Sequence, residues 1–200
     1  MPTALKTPAA AAVTGSVAWI ATALALGISG VLVTARAPAP QLLILALTAA
    51  TIWMTSRGQL RALVDAIPTR ALVAFHALRL GGVIFLVVSA AGTLSPVFAT
   101  NAGWGDIAAA AGAIALAASF APDTRMRRGL YLGWNVFATL DLLVAVGTAT
   151  LVALRGDVPG IAPLFTAPLI LVPTFLVPLL LASHIIIFRR LRRGASHGIQ

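Results

Sequence analysis

The chain has 200 residues, of which 60% are apolar and only 10% are charged, with a formal net charge of +9. An ordinary soluble domain is about 45–50% apolar and about 25% charged, so this composition excludes a soluble globule and predicts an integral membrane protein. The sequence contains no cysteine, which excludes disulfides, thiolate metal sites and iron–sulfur clusters.

Apolar runs long enough to form membrane-spanning helices, which need about 20 residues each, define the predicted elements. They cover residues 11–34, 40–55, 71–94, 103–120, 130–154 and 164–188. The short connections predict that successive helices are antiparallel neighbours, and backbone groups in lipid must pair within their own segment. The predicted fold is therefore all-α, a polytopic bundle of six transmembrane helices in one domain over residues 1–200.

An amphipathic segment over residues 58–67 separates the second and third predicted helices. Its apolar residues recur at helical spacing from Leu60 to Ile67, whereas Arg61 and Asp65 occupy the opposite face. This pattern predicts a short helix that lies on the membrane surface.

The sixth predicted helix differs from the others because it carries three interior prolines. Pro168, Pro173 and Pro178 follow one another at a spacing of five, and each removes one backbone hydrogen bond. Two interpretations are open: a kinked helix that packs around its neighbours, or a broken helix at a binding site.

The basic residues predict the orientation of the chain. Eleven of them fall on one side of the predicted membrane: Lys6, Arg57, Arg61, Arg70, Arg125, Arg127, Arg128, Arg189, Arg190, Arg192 and Arg193. Only Arg36 and Arg155 fall on the other side. Positively charged loops stay in the cytoplasm, so both termini are expected there. Membrane orientation accounts for the positions of the basic residues, so their number does not indicate nucleic-acid binding. The sequence therefore predicts the lipid bilayer as a partner and no nucleic acid.

Ionisable groups inside membrane helices are costly, and each is therefore a candidate functional residue. Counting residues from the helix ends places Arg79, Asn135, Asp141 and His184 in the cytoplasmic half. Arg79 and Asp141 differ in depth by roughly 4–5 Å, which an arginine side chain spans. They form either a structural ion pair or a proton or anion site. Asp106 is expected apart from them, near the outer surface, where a carboxylate suits a helix N-terminus.

Two histidines suggest a cofactor alternative. His76 and His184 lie at similar predicted depths of about 6–7 Å, as two axial ligands of one b-type haem would require. Two histidines are too few for a zinc site, and no catalytic constellation is present. The sequence therefore predicts no metal site and favours a protein that is not an enzyme.

Three short stretches resemble a known group of sequences: residues 79–86, residues 103–106, and residues 173–178 with His184. They are similar to small bacterial multi-pass membrane proteins that remain uncharacterised. The resemblance implies the bacterial inner membrane and no particular chemistry.

Three functional classes follow from these observations. The first is transport or sensing of a small solute or proton through the polar residues of the membrane. The second is an accessory or structural membrane subunit, with a homo-oligomer or a partner subunit as its assembly. The third is an electron carrier that binds haem through His76 and His184.

Overall fold

The computed structural model describes residues 6–196 of the chain. The chain is 84% helical and contains no strand in the described part, which confirms the all-α prediction. Five helices in that part are long and apolar enough to cross a membrane. A bent helix pair makes a sixth if it forms one span.

The helices follow one another along the chain with few long connections. The α-helices are α1 (Lys6–Ser29), α2 (Val31–Thr34), α3 (Ala39–Thr55), α4 (Gly58–Ala66), α5 (Thr69–Phe75), α6 (Val83–Ala90), α7 (Pro96–Ser119), α8 (Arg125–Arg155) and α9 (Val177–Ser196). Two 3₁₀-helices cover His76–Gly82 and Ala162–Phe165, and a π-helix covers Val172–Leu176.

Two compact units divide these elements. Unit 1 comprises the residues up to Ile67 together with Ala162–Ala182, and unit 2 comprises Pro68–Ile161 together with the residues from Ser183 onwards. The boundary between the two units falls within α9, between Ala182 and Ser183.

Unit 1 is held together by a close approach of α1 to the segment before the π-helix. A Cβ on Gly27 would lie 2.8 Å from the Ala167 nitrogen and 2.8 Å from Cγ2 of Ile170, so only glycine fits there. Trp19 also packs edge-on against Phe175, with ring centroids 5.1 Å apart. Small residues let helix backbones approach closely, and in apolar surroundings the resulting van der Waals contacts stabilise helix packing.

A sharp bend separates α3 from α4, whose axes differ by 78°. Gly58 stands at the bend with a φ of 56°, a left-handed conformation that glycine adopts without steric cost. The segment predicted to be an amphipathic helix over 58–67 is helical over Gly58–Ala66, with Arg61 and Asp65 paired at 3.4 Å.

The fourth predicted helix begins earlier in the structure than the sequence predicted. Helix α7 begins at Pro96, seven residues before the predicted start at 103. Proline at the first helical position has a preset φ and lacks only a hydrogen-bond donor that the helix would not use. The residues that follow Pro96 include Thr100 and Asn101, whose polarity hid this turn from a search for apolar runs.

The sixth predicted helix, over 164–188, for which a kinked and a broken form were both open, is interrupted in its first half. The 3₁₀-helix Ala162–Phe165, a run of turns and the π-helix Val172–Leu176 precede α9. The prolines explain the interruption because each lacks the N–H of a regular helical turn. The carbonyl of Leu169, which Pro173 cannot bond, accepts from Val172 N–H at 2.9 Å.

Unit 2 is built around the alanine-rich helix α7, which packs against the elements on both sides of it. Ala109, Ala110 and Ala113 are fully buried, as expected of a helix inside a bundle. Around them lies a core of Leu72, Val73, Tyr131, Trp134, Ala138, Ile187 and Leu191. The guanidinium of Arg70 donates to the carbonyls of Ala117 and Ala118 and so satisfies the C-terminal end of α7.

We expect Gly27→Ala to lower the free energy of unfolding by about 1–3 kcal/mol, because the added methyl group overpacks the contact with Ala167 and Ile170. The matched control is Gly15→Ala in the same helix, where a Cβ would meet nothing within 4 Å. Thermal unfolding in detergent measures both variants. Equal melting temperatures for the two would contradict the close approach of α1.

Candidate functional site

The candidate site of unit 2 begins with an irregular turn in the middle of a membrane-length helix. The segment Thr69–Ala90 is long enough to cross a membrane, but its central residues His76–Gly82 are wound as a 3₁₀-helix. With 3.0 residues per turn, side chains three residues apart lie in line along the axis. His76, Arg79 and Gly82 form such a column, and all three are buried.

Arg79 is the centre of an ion cluster that joins three helices. Its Nε donates to Oδ1 of Asp106 at 2.7 Å, its Nη2 donates to Oδ2 of Asp141, and its Nη1 donates to the Ala138 carbonyl at 2.9 Å. The Arg79 side chain is 1% exposed, whereas those of Asp106 and Asp141 are 13% and 11% exposed. We refer to Arg79, Asp106 and Asp141 as the Arg79 cluster.

Gly82 and Gly105 make the space that the Arg79 cluster occupies, and Gly103 allows close packing next to it. A Cβ on Gly82 would lie 2.5 Å from the Cβ of Asp106. A Cβ on Gly105 would overlap the carboxylate of Asp141, and one on Gly103 would lie 2.8 Å from Leu86. Close helix approach therefore depends on glycine at the positions where the carboxylates enter.

His76 and His184, which we call the histidine pair, lie next to each other within the same unit, with their ring planes tilted by 41°. Their ring centroids are 4.3 Å apart, and the rings are 0% and 1% exposed. Trp134 packs against both rings, at 5.0 Å from His76 and 5.8 Å from His184. The Trp134 Nε1 donates to the Ala109 carbonyl at 2.9 Å, which fixes the indole in place.

Asn135 determines which nitrogen of His184 carries the proton. Its Nδ2 donates to the His184 carbonyl at 3.2 Å, and its Oδ1 lies 2.7 Å from Nδ1 of His184. Because a carbonyl oxygen only accepts, Oδ1 is the amide atom that faces the ring. Nδ1 of His184 is therefore the donor, and Nε2 keeps its lone pair.

Each histidine leaves one ring nitrogen without a hydrogen-bond partner. Nε2 of His76 lies 2.8 Å from the Ser183 hydroxyl, and Nδ1 of His76 has no partner. Nε2 of His184 likewise has none. Buried polar atoms are nearly always paired, so these two nitrogens mark the histidine pair as a candidate site.

The geometry of the histidine pair bears on the haem alternative. Axial ligands stand on opposite faces of a haem, so the porphyrin plane must separate the two rings. At a centroid distance of 4.3 Å there is no room for that plane, because carbon atoms in contact lie about 3.5–4.0 Å apart. The rings in this arrangement therefore do not fit as an axial pair. The described residues also contain no group of three metal-ligating side chains.

The four residues predicted to lie together and Asp106, which was expected apart from them, all lie in unit 2, and the structure divides them into two groups. Arg79 contacts Asp141, and His184 contacts Asn135. Asp106, expected near the outer surface, instead shares the Arg79 guanidinium with Asp141. The depth estimate for Asp106 fails because α7 starts at Pro96, which puts Asp106 well inside the helix.

Several residues of the site were not singled out by the sequence. Ser183 bonds His76 although it neighbours His184 in the chain, since successive helical residues face different neighbours. Trp134 packs against the rings of both histidines. Gly103 and Gly105 lie within α7, where they allow close contact with Leu86 and Asp141.

Comparisons with known proteins give one match. The model of a family described as a domain of unknown function (DUF8737) matches residues 37–192, which include every residue of the Arg79 cluster and the histidine pair. Neither the search of curated proteins nor that of solved structures found a match.

Gly82 and its neighbour Gly81 provide a matched test of the packing around the Arg79 cluster. We expect Gly82→Ala to lower the free energy of unfolding by about 1–3 kcal/mol, since the new methyl group collides with Asp106. Gly81→Ala should be tolerated, because nothing lies within 4 Å of its Cβ position. Melting temperatures of the purified variants test this, and a Gly82→Ala protein as stable as Gly81→Ala would contradict the arrangement.

Proposed function

The chain belongs to the family of the domain of unknown function DUF8737, and we propose that it binds a proton at the Arg79 cluster and transports or senses it across a membrane. The sequence predicts either a small solute or a proton as the bound species. The arrangement of Arg79 with Asp106 and Asp141 favours the proton.

One observation supports the proposal: two carboxylates share a single guanidinium. With all three groups ionised, the Arg79 cluster has a formal charge of −1. An uncompensated charge in a low-dielectric interior is costly, and one proton on either carboxylate removes it. The other carboxylate then keeps its ion pair with Arg79. A proton meets this need without a cavity, which favours it over a larger solute.

The exposure of the three side chains is consistent with proton exchange. Arg79 is enclosed, but Asp106 and Asp141 both keep a small exposed surface. A proton can therefore reach the carboxylates while the guanidinium that balances them stays fixed by three hydrogen bonds.

We place the protein in the bacterial inner membrane with six spans and both termini in the cytoplasm. Helix α3 has 17 residues, at the lower limit for one span, and its 78° bend from α4 lets α4 lie along the surface. The distribution of arginines supports this orientation, since the basic loops then lie on the cytoplasmic side.

A structural role is the second candidate, and a specific observation favours it too. The three hydrogen bonds of Arg79 tie the 3₁₀-helix to α7 and α8, so the cluster also locks helices together. On this alternative the protein is an accessory subunit, and no proton moves through it. The haem alternative requires the rings of His76 and His184 to move apart and has no such support.

We expect Asp141→Asn to reduce proton flux into proteoliposomes at least tenfold, because the amide still accepts from Arg79 but cannot ionise. A pH-sensitive dye inside the vesicles measures the flux under an applied membrane potential. The matched control is Asp123→Asn, since Asp123 forms an exposed ion pair with Arg127 at 2.9 Å. This variant should conduct as the wild type does.

Infrared difference spectroscopy complements the flux measurement. It also tests whether the Arg79 cluster binds a proton if the protein senses protons without transporting them. The wild type should show the C=O band of a protonated carboxyl group on acidification, and the variant Asp106→Asn/Asp141→Asn should lose it. Wild-type flux in Asp141→Asn would contradict a transport role for this residue. Absence of both flux and the carboxyl band in the wild type would leave the structural role.

A further inference from the structure

We infer that the histidine pair is a second proton-binding site, with Nε2 of His184 as its base, and that it exchanges one proton with the Arg79 cluster. This inference rests on the proposed function and extends it, because it assigns a second position to the same proton.

The base is identified by hydrogen-bond geometry. Asn135 holds Nδ1 of His184 as a donor, which leaves the lone pair of Nε2 buried and unpaired. An unpaired buried acceptor is destabilising, and protonation converts it to a donor on a ring that Asn135 already orients. Asn135 is a positioning residue for this site, since it acts through His184.

The charge that a proton at His184 would balance comes from the Arg79 cluster in the same unit. Its charged groups are Arg79 on the 3₁₀-helix, Asp106 on α7 and Asp141 on α8. The polar side chains that touch the pair, Ser183 and Asn135, are uncharged. Together these groups have a formal charge of −1 when both histidines are neutral. An imidazolium at His184 would bring that sum to zero.

One proton therefore neutralises the group in either of two positions. When it sits on a carboxyl group, that carboxyl is neutral and His184 is neutral. When it moves, the carboxyl O–H bond breaks and an N–H bond forms at Nε2 of His184, which leaves a carboxylate paired with Arg79 and an imidazolium. The total charge is the same before and after, so the buried group gains no net charge in the transfer.

One 3₁₀-helix carries a member of the histidine pair and the centre of the Arg79 cluster. His76 and Arg79 are three residues apart in the 3₁₀-helix, which places their backbones about 6 Å apart on one face. The ring of Trp134 lies 5.8 Å from that of His184, within the roughly 6 Å at which an indole attracts a cation. The imidazolium would thus form beside an aromatic ring.

Nitrogen NMR of protein labelled at histidine tests the protonation of His184 directly in the folded wild type. The chain has three histidines, and His76→Gln and His197→Gln assign the signals. We expect His184 to carry its proton on Nδ1 when neutral and to become an imidazolium on acidification. In Asp141→Asn the excess negative charge is gone, so the same protonation should need at least a tenfold higher proton concentration.

Two results of this measurement would overturn the inference. One is a His184 ring that stays neutral throughout the pH range in which the protein is folded. The other is an identical titration in the wild type and in Asp141→Asn, which would show that the histidine pair does not share its proton with the Arg79 cluster.

Measurements of proton flux distinguish a failure of this inference from a failure of the proposed function. His184→Gln should reduce proton flux at least tenfold while the carboxyl band of the Arg79 cluster persists. His197→Gln, which lies outside the described residues, serves as the control with wild-type flux. Full flux in His184→Gln together with loss of flux in Asp141→Asn would overturn the histidine site and keep the carboxylate site. Full flux in Asp141→Asn would overturn the transport proposal itself.

Discussion

The buried guanidinium of Arg79 is the constraint on which the rest of unit 2 depends. A fully enclosed positive charge in an apolar bundle must be compensated by groups from neighbouring helices. Asp106, Asp141 and the Ala138 carbonyl meet this requirement, and they fix the 3₁₀-helix against α7 and α8 at one level. The positions of these three helices therefore follow from the hydrogen-bonding geometry of one side chain.

Local backbone structure makes this compensation possible. The 3₁₀ winding of His76–Gly82 aligns Arg79 with His76 and Gly82, and the absence of side chains at Gly82 and Gly105 admits the two carboxylates. A regular α-helix would rotate residues three apart by about 300° rather than a full turn and would spread this column around the axis. Mid-helix 3₁₀ segments often mark functional positions, and here the segment carries the central charge.

The same geometry serves stability and chemistry together. Two carboxylates around one guanidinium hold the helices together, but they also leave one formal negative charge in excess, which a bound proton would neutralise. The histidine pair of the same unit has two unpaired nitrogens, and Asn135 directs the lone pair of His184 to Nε2. In the proposed function, a proton binds to the same ion cluster that holds the helices together. Both the structural role and the proton-binding role therefore rest on the same residues.

The sequence predicted the helical class from the length and apolarity of its apolar runs. It also identified Arg79, Asp141, Asn135 and His184, because charged and polar groups are conspicuous among apolar residues. It placed Asp106 apart, since hydropathy located the start of α7 seven residues late and depth was counted from that end. It also could not foresee the interrupted helix before α9 in detail, because prolines forbid a regular turn without specifying its replacement. The tertiary structure alone decided which groups meet. Partners such as Arg79 and Asp106, or His76 and Ser183, are far apart in the chain, and their contact depends on helix rotation and close glycine packing, which no local pattern encodes.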